Sequence, residues 1–359
     1  MTDKEIITAI SSYYPIQILK AYNNDLRSIK SVELIAKSLN DIYRYFEPSF
    51  FKGNFYVCKH FNDELILNET TSTILNYNKN ILLNKTSGDI IIQIFNDGKL
   101  ILWEKEDPIS LIGRDDALTY FFNSNKEYFY ANNVRIEITE CPVGSRFATQ
   151  YIELKDALSI YSVNRIFHSS CSHFSEVWYD ANRIFLRGEG SGKNIPEKFI
   201  QKSLHEFLEI IYSLRGVSIE VLREFNVEGE KPKPVDIRIQ WKEANRVALI
   251  EMKWLGTVKG SDGKIAYSHD DGRANAGMIQ LKGYYDSALR DMPTTIIKPF
   301  LVVIDGRRKN LHETTTTISY ADGMFYKDVD LIIDPDNKFY ESIIGFEPPI
   351  RMFSAPNCI

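Results

Sequence analysis

Hydrophobic residues near the amino terminus recur at steps of three or four, which is the spacing of an amphipathic helix. On this basis we predict two helices, over residues 3–22 and 28–46. The positions that repeat at this spacing are Ile6, Ile7, Ile10, Val32, Ile35, Leu39 and Ile42. From about Phe50 onward the pattern changes to short apolar runs separated by turns, which is typical of strands.

Two of the later segments predict β-hairpins. Residues 89–104 carry an Asp-Gly dipeptide between two apolar runs, and this pair favours the backbone of a tight turn. Residues 126–140 carry two asparagines at the same place, and asparagine tolerates a positive φ. Residues 1–150 therefore predict an α+β domain in which no catalytic group is evident. A recognition, regulatory or oligomerisation role fits such a domain.

The segment 234–255 predicts a third hairpin, with two apolar runs around a polar turn at 242–246. Side chains alternate between the faces of a strand, so residues two apart share a face. Asp236 lies on one face of the first strand, and Glu251 and Lys253 lie on one face of the second. When the strands pair, these three side chains can converge on one surface.

These side chains are costly to bury without partners. A carboxylate and an ammonium stand two residues apart in a strand otherwise made of Leu, Ile, Met and Trp. A Mg²⁺ ion between Asp236 and Glu251 would offset that cost, because Mg²⁺ binds carboxylate and carbonyl oxygens and water. Lys253 could then orient or deprotonate a water whose pKa the metal lowers. The alternative is an edge hairpin with a solvated ion pair, because Glu-x-Lys occurs by chance in many strands.

A helix over 195–214 precedes this hairpin, and it begins with a proline and an acid in its first turn. The other predicted elements of this half are a strand over 217–225, a polar glycine-rich loop over 256–272, a helix over 274–289 and strands over 299–304 and 328–333. The elements from the first helix to the strand at 299–304 therefore follow the order α-β-β-β-α-β. The predicted fold class is α/β, within a chain that is α+β overall.

Five side chains outside the hairpin are candidates for the same site. Glu206 falls at the boundary of the apolar half of its helix, so it either approaches the hairpin or is an ordinary boundary glutamate. Gln280 and Tyr284 are four apart on a helix and can reach one ligand, although such pairs are more often surface residues. Arg273 precedes them and supplies a cation, as Lys282 does between them.

Two other motifs predict less. His168, Cys171 and His173 invite a metal interpretation, but a structural zinc site needs four ligands and no second pair is evident. The run 187–193 is similar to a phosphate loop, but Arg187 stands where the first glycine belongs and asparagine follows the lysine. A flexible linker is the better interpretation of that run.

Length and composition set the limits of these hypotheses. The 359 residues suffice for two domains, 1–150 and 195–359, with a junction at 151–194. No apolar run is long enough to span a membrane, and the first residues lack the pattern of a secretion signal. Four scattered cysteines predict a reducing cytoplasm rather than a disulfide framework. A net charge of −5 argues against an indiscriminate nucleic-acid coat protein, which is usually basic.

The spacing Asp-x14-Glu-x-Lys after a proline resembles the PD-(D/E)xK nuclease superfamily. The two halves of the motif are Pro234-Val235-Asp236 and Glu251-Met252-Lys253, with one extra residue between Pro and Asp. The element order resembles the core of the same superfamily, and Gln280 with Tyr284 resembles the Q-x-x-x-Y element of one of its branches. The stretches KPVDIRI and ALIEMKWLG are also similar to nuclease effectors of bacterial anti-phage defence systems.

The resemblance implies a restriction-endonuclease-like αβββαβ core over 195–359 and a Mg²⁺-dependent deoxyribonuclease in which Mn²⁺ can substitute. DNA is favoured over RNA, while endonuclease and exonuclease action, a homodimer and a larger defence complex all stay open. The implied roles are metal binding by Asp236, Glu251, the Met252 carbonyl and Glu206, water activation by Lys253, and DNA contact by Gln280, Tyr284, Arg273 and Lys282. The alternative is a catalytically silent subunit that keeps the nuclease fold and binds nucleic acid or partner proteins.

Overall fold

The computed structural model describes residues 14–47, 51, 53–67, 73–76, 82, 88–104, 111–123, 126–139, 149–168, 177–188, 195–226, 234–242 and 244–356. These residues form helices and two mixed sheets, so the α/β class is confirmed at that level. The chain divides into two compact units, Met1–Thr149 with Glu243–Asn245 and Gln150–Lys242 with Arg246–Ile359. The described residues of the predicted junction at 151–194 therefore belong to the second unit.

The first unit is built on a seven-stranded sheet. Its described elements are α1 (Pro15–Ala21), α2 (Leu26–Tyr43), β1 (Asn54–His60), β2 (Thr73–Asn76), β3 (Ile90–Ile94), β4 (Leu100–Glu104), β5 (Ala117–Asn123), β6 (Lys126–Ala131) and β7 (Val134–Glu137). The strand order is β2-β4-β3-β1-β5-β6-β7, in which β1 and β3 are parallel and the other neighbours antiparallel.

The two hairpins predicted in this unit are confirmed as β3–β4 and β6–β7. Gly98 and Asn132 have φ values of 83° and 53° in their turns, as these residue types predict. The second helix is confirmed as α2, which begins after Asp25, whose side chain accepts a hydrogen bond from Arg27 N. Its repeating apolar side chains are buried in the core against the sheet, whereas Ile6, Ile7 and Ile10 lie outside the described residues.

The second unit contains the candidate hairpin. Its described helices and strands are α3 (Gln150–Tyr161), β8 (Leu186–Arg187), α4 (Ile195–Leu214), β9 (Glu220–Asn226), β10 (Pro234–Trp241), β11 (Arg246–Lys259), β12 (Ile265–His269), α5 (Asp271–Asp291), β13 (Ile296–Asp305), α6 (Tyr320–Met324), α7 (Phe339–Ser342) and β14 (Ile350–Phe353). The main sheet has the order β14-β13-β11-β10-β9, and β8 and β12 both pair with β11. Among the described helices, none combines the length and apolar composition needed to cross a bilayer.

Strand β11 is the centre of this unit because four other strands pair with it. It is antiparallel to β10 and parallel to β13, and its far end pairs with β8 and β12. Helix α5 packs against the sheet through an apolar core that includes Leu249, Met278, Leu281 and Leu301. Glu251 and Lys253 therefore lie on the strand that has the most pairing partners among the described strands of this unit, and Asp236 lies on its neighbour β10.

Two sequence predictions in this unit are wrong. The stretch 256–272, predicted as a polar loop, contains the end of β11 and the strand β12, which turn back at Gly260–Gly263. Residues 328–333 form no strand, because β14 occupies the edge of β13, with Val302 paired to Ile350. Leu331 and Ile333 of that segment pack onto the α5 core instead, whereas Ile332 is 67% exposed.

Candidate functional site

The hairpin register brings the two predicted carboxylates together. Ile237 pairs with Ile250, and continuing this antiparallel register by one residue sets Asp236 beside Glu251. The Asp236 carboxylate lies close enough to β11 that its Oδ2 accepts a hydrogen bond of 2.7 Å from Met252 N. The convergence predicted from strand alternation is therefore present.

Lys253 and Glu251 form a buried ion pair on this surface. The Lys253 ammonium donates to Glu251 Oε1, and the two residues are only 8% and 1% exposed. Glu251 Oε2 is shielded from solvent and has no hydrogen-bond partner among the residues that the structure describes. A buried oxygen in this state lacks the stabilisation that a donor or a cation would provide.

Helix α5 passes close over this ion pair. A Cβ placed on Gly277 would lie 2.8 Å from Lys253 Cγ and 2.9 Å from Leu301 Cδ1, which is too close for any larger residue. The glycine therefore allows the helix to cover the lysine stem. This cover explains why the ion pair is buried although the hairpin contains several polar residues.

The surroundings of Asp236 and Glu251 disfavour a negative charge on both carboxylates at once. Burial, and then the charge of Asp236, raises the pKa of Glu251 from 4.5 to about 8, although Lys253 opposes the shift. Burial also raises the pKa of Asp236 from 3.8 to about 6. A cation between the carboxylates would relieve both effects, so the site is built to gain from a bound positive charge.

Helix α4 supplies two contacts that were not predicted from the sequence. Gln201 Nε2 donates to Asp236 O at 2.9 Å and to Asp236 Oδ1 at 3.2 Å, so it holds this residue from the other side. Glu197 Oε1 accepts from Arg273 Nη2 at 2.5 Å and from Trp254 N at 3.4 Å. The charge of Glu197 also raises the pKa values of both hairpin carboxylates.

The structure does not bring Glu206 to this site. Its side chain is 57% exposed and pairs with Lys202 at 3.8 Å. Glu206 is nine residues after Glu197 on α4, which corresponds to two and a half turns and places the two on opposite sides of the helix. On the predicted apolar half of α4, Ile200, Leu204 and Leu208 are buried, whereas Ile210 and Leu214 are 59% and 79% exposed. Glu197 is the α4 carboxylate that borders the hairpin.

The predicted Gln280 and Tyr284 lie together beside the carboxylates. Gln280 Nε2 donates to Tyr284 Oη at 2.5 Å, and Tyr284 Oη donates to Pro234 O at 3.0 Å. Burial raises the pKa of Tyr284 to about 12, with smaller contributions from the charges of Glu251 and Asp236. The pair is therefore part of the same surface.

The two predicted cations have different surroundings. Arg273 is held by Glu197 at the start of α5, on the border of the site. Lys282 pairs with Asp286 at 2.5 Å and lies 5.9 Å from the Phe339 ring, so the structure does not bring it to the carboxylates. On the helix Lys282 is two positions from Gln280 and two from Tyr284, so its side chain lies on another face.

The donor set suits a hard cation only in part. In the described ranges no group of three or more His, Cys, Asp or Glu side chains is arranged to hold a metal. Two carboxylates, one of them with a shielded and unpaired oxygen, nevertheless meet the needs of Mg²⁺, which binds one or two carboxylates and completes its shell with water and substrate oxygens. The Met252 amide donates to Asp236, and the role of its carbonyl stays a prediction.

The other motifs give no site. His168 ends the turn that follows α3, whereas Cys171 and His173 lie outside the described residues. Arg187 belongs to β8, where it pairs with Lys259, and most of the run 188–193 is likewise undescribed.

Searches of protein-family models, of curated proteins and of solved structures found no match to this chain. The functional interpretation of the site therefore depends on its residues and geometry.

Proposed function

We propose that this protein is a metal-dependent nuclease of the PD-(D/E)xK type that hydrolyses phosphodiester bonds in DNA. The observation that carries the proposal is the convergence of Asp236, Glu251 and Lys253 on one surface of β10 and β11, with Glu251 Oε2 unpaired among the described residues. The order α4-β9-β10-β11-α5-β13 supports it, because this is the αβββαβ order of that superfamily with β12 as an addition.

Asp236 and Glu251 would hold Mg²⁺ or Mn²⁺, with the Met252 carbonyl as a third oxygen. Such an ion lowers the pKa of a bound water and neutralises charge on a phosphate. The binding of the ion must also displace protons, because the pKa values of both carboxyl groups are raised in the folded chain. Metal affinity is therefore expected to increase between pH 6 and pH 8.

The remaining side chains would orient the reactants. Lys253 holds its ammonium at the carboxylates, where it can position the attacking water and stabilise the developing charge on phosphorus oxygens. Gln201 fixes Asp236 from α4, and Tyr284 with Gln280 presents polar groups to the DNA backbone. Arg273 supplies positive charge near the neighbouring phosphate. Glu206 and Lys282 have no part in this scheme.

The biological setting of the proposal comes from the resemblance alone. We propose a cytoplasmic effector of bacterial defence, acting on DNA as a homodimer or within a larger complex. The sequence motifs that suggest this setting are the strands of the hairpin itself.

The test is cleavage of plasmid, linear duplex and single-stranded DNA and of RNA, each with Mg²⁺, Mn²⁺ or EDTA. We expect metal-dependent cutting of DNA by the wild-type chain, its loss in Glu251→Ala, and its retention in the matched control Glu206→Ala. Cutting that survives in Glu251→Ala would assign the activity to a contaminant or to another site.

Metal binding distinguishes an enzyme from a silent nuclease fold. Mg²⁺ at about 100 times its Kd should stabilise a chain that binds it by about 2.7 kcal/mol. We expect Mg²⁺ to raise the Tm of the wild-type chain and not that of an Asp236→Asn, Glu251→Gln double variant. A chain that cuts nothing and shows no such shift would be a silent fold.

A further inference from the structure

Strand β12 adds a surface beside the proposed site that the superfamily core does not require. It runs antiparallel to the end of β11, with Val258 paired to Tyr267 and Gly256 paired to His269. Tyr267 and His269 are two residues apart and share a face, and their ring centroids are 4.8 Å apart at an angle of 52°. The strand thus presents a pair of rings, each of them half-buried.

The residue opposite His269 is a glycine for a structural reason. Gly256 has a φ of 146°, and a Cβ there would lie 3.1 Å from Leu186 Cδ1 and 3.2 Å from Gly306 O. No side chain therefore stands directly opposite His269 on β11. On the other face of the ladder, Thr257 and Ser268 are joined by a hydroxyl hydrogen bond of 2.9 Å, which fixes the register that places the two rings together.

His269 also carries an unused hydrogen-bonding atom. Its Nε2 is shielded from solvent and has no partner in the part of the chain that the structure describes. Burial, and then the charge of Arg273, lowers the pKa of His269, so the ring is neutral at neutral pH. A hydrogen bond from a bound group to this shielded atom would be stronger than one made in bulk water.

Electrostatic interactions connect the ring pair to the catalytic candidates. The charges of Arg273 and Glu197 act on both Tyr267 and His269. Glu197 also acts on Asp236 and Glu251. The rings therefore lie next to the first turns of α4 and α5, on the border of the carboxylate pair.

We propose that Tyr267 and His269 form a subsite for an unpaired nucleotide adjacent to the bond that is cut. Tyr267 stacks on the base, and His269 turns on binding so that Nε2, which is shielded in the free chain, pairs with a polar group of the same nucleotide. This inference rests on the proposed nuclease function. Both faces of a base inside a duplex are already stacked, so such rings recognise bases in single strands or at frayed ends. Single-stranded DNA is therefore the substrate class that the subsite favours.

The test separates binding from cutting. A labelled twelve-nucleotide single strand and a closed duplex of the same sequence are titrated with the full chain in Ca²⁺, and cleavage of both is measured in Mg²⁺. The variants are Tyr267→Ala, Tyr267→Phe and His269→Ala. Tyr320→Ala is the control, because this tyrosine of the same unit is 71% exposed and belongs to neither site. Circular dichroism checks that each variant is folded.

We expect Tyr267→Ala to weaken single-strand binding about tenfold and to raise KM by a similar factor, with kcat within about threefold of wild type. Tyr267→Phe keeps the ring and should retain wild-type affinity, and His269→Ala should weaken binding by a smaller factor. Equal single-strand affinity in Tyr267→Ala and wild type, or tighter binding of the closed duplex, would overturn the subsite.

The outcomes separate the subsite from the nuclease proposal. Tyr267-dependent binding without any cleavage would uphold the subsite and remove the catalytic assignment. Metal-dependent cleavage together with single-strand binding that does not depend on Tyr267 would uphold the catalytic assignment and overturn the subsite. A wild-type chain that binds no oligonucleotide would overturn the subsite whatever its cleavage.

Discussion

Both units bury charged side chains next to a sheet, but among the described residues Glu251 of the second unit lacks a full set of partners. In the first unit Lys59 is 1% exposed and donates to His60 O and to Asp63 Oδ1, each at 2.5 Å. His60 Nδ1 in turn accepts backbone hydrogen bonds from residues 62 and 64. In the second unit Glu251 is as deeply buried, and one of its oxygens has no partner among the described residues.

The pKa shifts differ in the same way. Hydrogen bonding by Arg114 lowers the pKa of Asp116 in the first unit, so the fold stabilises that charge. Burial raises the pKa of Glu251 in the second unit to about 8, so the fold disfavours that charge. The charge of Asp116 has its partners within the first unit, whereas strongly perturbed buried groups such as Glu251 are found more often where a ligand or substrate supplies a missing partner. This difference singles out the β10–β11 surface.

The largest expected effect comes from removing the lysine of each region. Lys253→Ala should lower cleavage by about 10²–10⁴-fold, because the group that positions the water and stabilises charge is lost, while Asp236 and Glu251 still bind metal. Lys59→Ala should instead cost about 1.5–3 kcal/mol of stability and leave cleavage per folded molecule unchanged. Cleavage rates measure the catalytic effect, Mg²⁺ calorimetry measures metal binding, and thermal melting measures the loss of stability.

These two variants control each other because both remove a buried ammonium from a sheet. A Lys253→Ala chain that cut DNA at the wild-type rate would contradict the role assigned to the lysine. A Lys59→Ala chain that folded fully but failed to cut would show that the comparison of the two regions is mistaken.

The next effect concerns stability as a function of pH. The folded state raises the pKa values of Asp236 and Glu251 to about 6 and about 8, so between about pH 4 and pH 8 it holds protons that the unfolded state has released. The pair therefore lowers the free energy of unfolding progressively as pH rises, and its destabilising effect is complete above about pH 8. Glu251→Gln should remove most of this effect and melt above the wild-type chain at pH 8 in EDTA.

The first unit gives the opposite sign. The pKa of Asp116 is lowered, so its charge stabilises the fold above the ordinary aspartate pKa, and this contribution is lost as the pH falls through the lowered pKa. Asp116→Asn should consequently melt below the wild-type chain at pH 8. If Glu251→Gln and Asp116→Asn shifted the Tm at pH 8 in the same direction, the proposed difference between the acidic groups of the two units would be wrong.

The parts of the site that the sequence predicts are those set by local alternation. Asp236, Glu251 and Lys253 were identified because period 2 and a short turn fix which side chains of a hairpin share a face. Gln280 and Tyr284 were identified because a spacing of four fixes a shared helix face. In both cases the geometry follows from the spacing, without knowledge of what packs against the element.

The parts that were missed depend on tertiary packing. A helical wheel indicates the apolar half of α4, but not which part of the helix meets the hairpin. The sequence therefore predicts Glu206 as a ligand, although Glu197 is the nearer carboxylate. Strand β12 was missed because its polar sequence resembles a loop, and its pairing depends on the unusual length of β11. Tyr267 and His269, two apart in that stretch, were the available signal for a strand face.

Removal of a positioning contact should have a smaller effect than removal of a catalytic group. Gln201→Ala takes away the side chain that holds Asp236 from α4, and we expect kcat to fall about tenfold with KM within about twofold. Metal affinity should weaken in parallel, because Asp236 loses its orientation. Steady-state kinetics and calorimetry test this expectation. Gln201→Glu, which adds a like charge beside Asp236, should be worse than Ala, and equal activity of the two variants would argue for a purely structural role.

The smallest effects test the choice between Glu197 and Glu206 of α4. Glu206→Gln changes an exposed residue paired only loosely with Lys202, so cleavage and Tm should stay within about twofold and about one degree of wild type. Glu197→Gln removes a charge that raises the pKa values of Asp236 and Glu251, and it loosens Arg273. The acid limb of its pH–rate profile should therefore move to lower pH. If Glu206→Gln moved that limb and Glu197→Gln did not, α4 would approach the carboxylates through its other side. The contrast between Lys59, with its complete partners, and Glu251, with its unpaired oxygen among the described residues, would then need a different explanation.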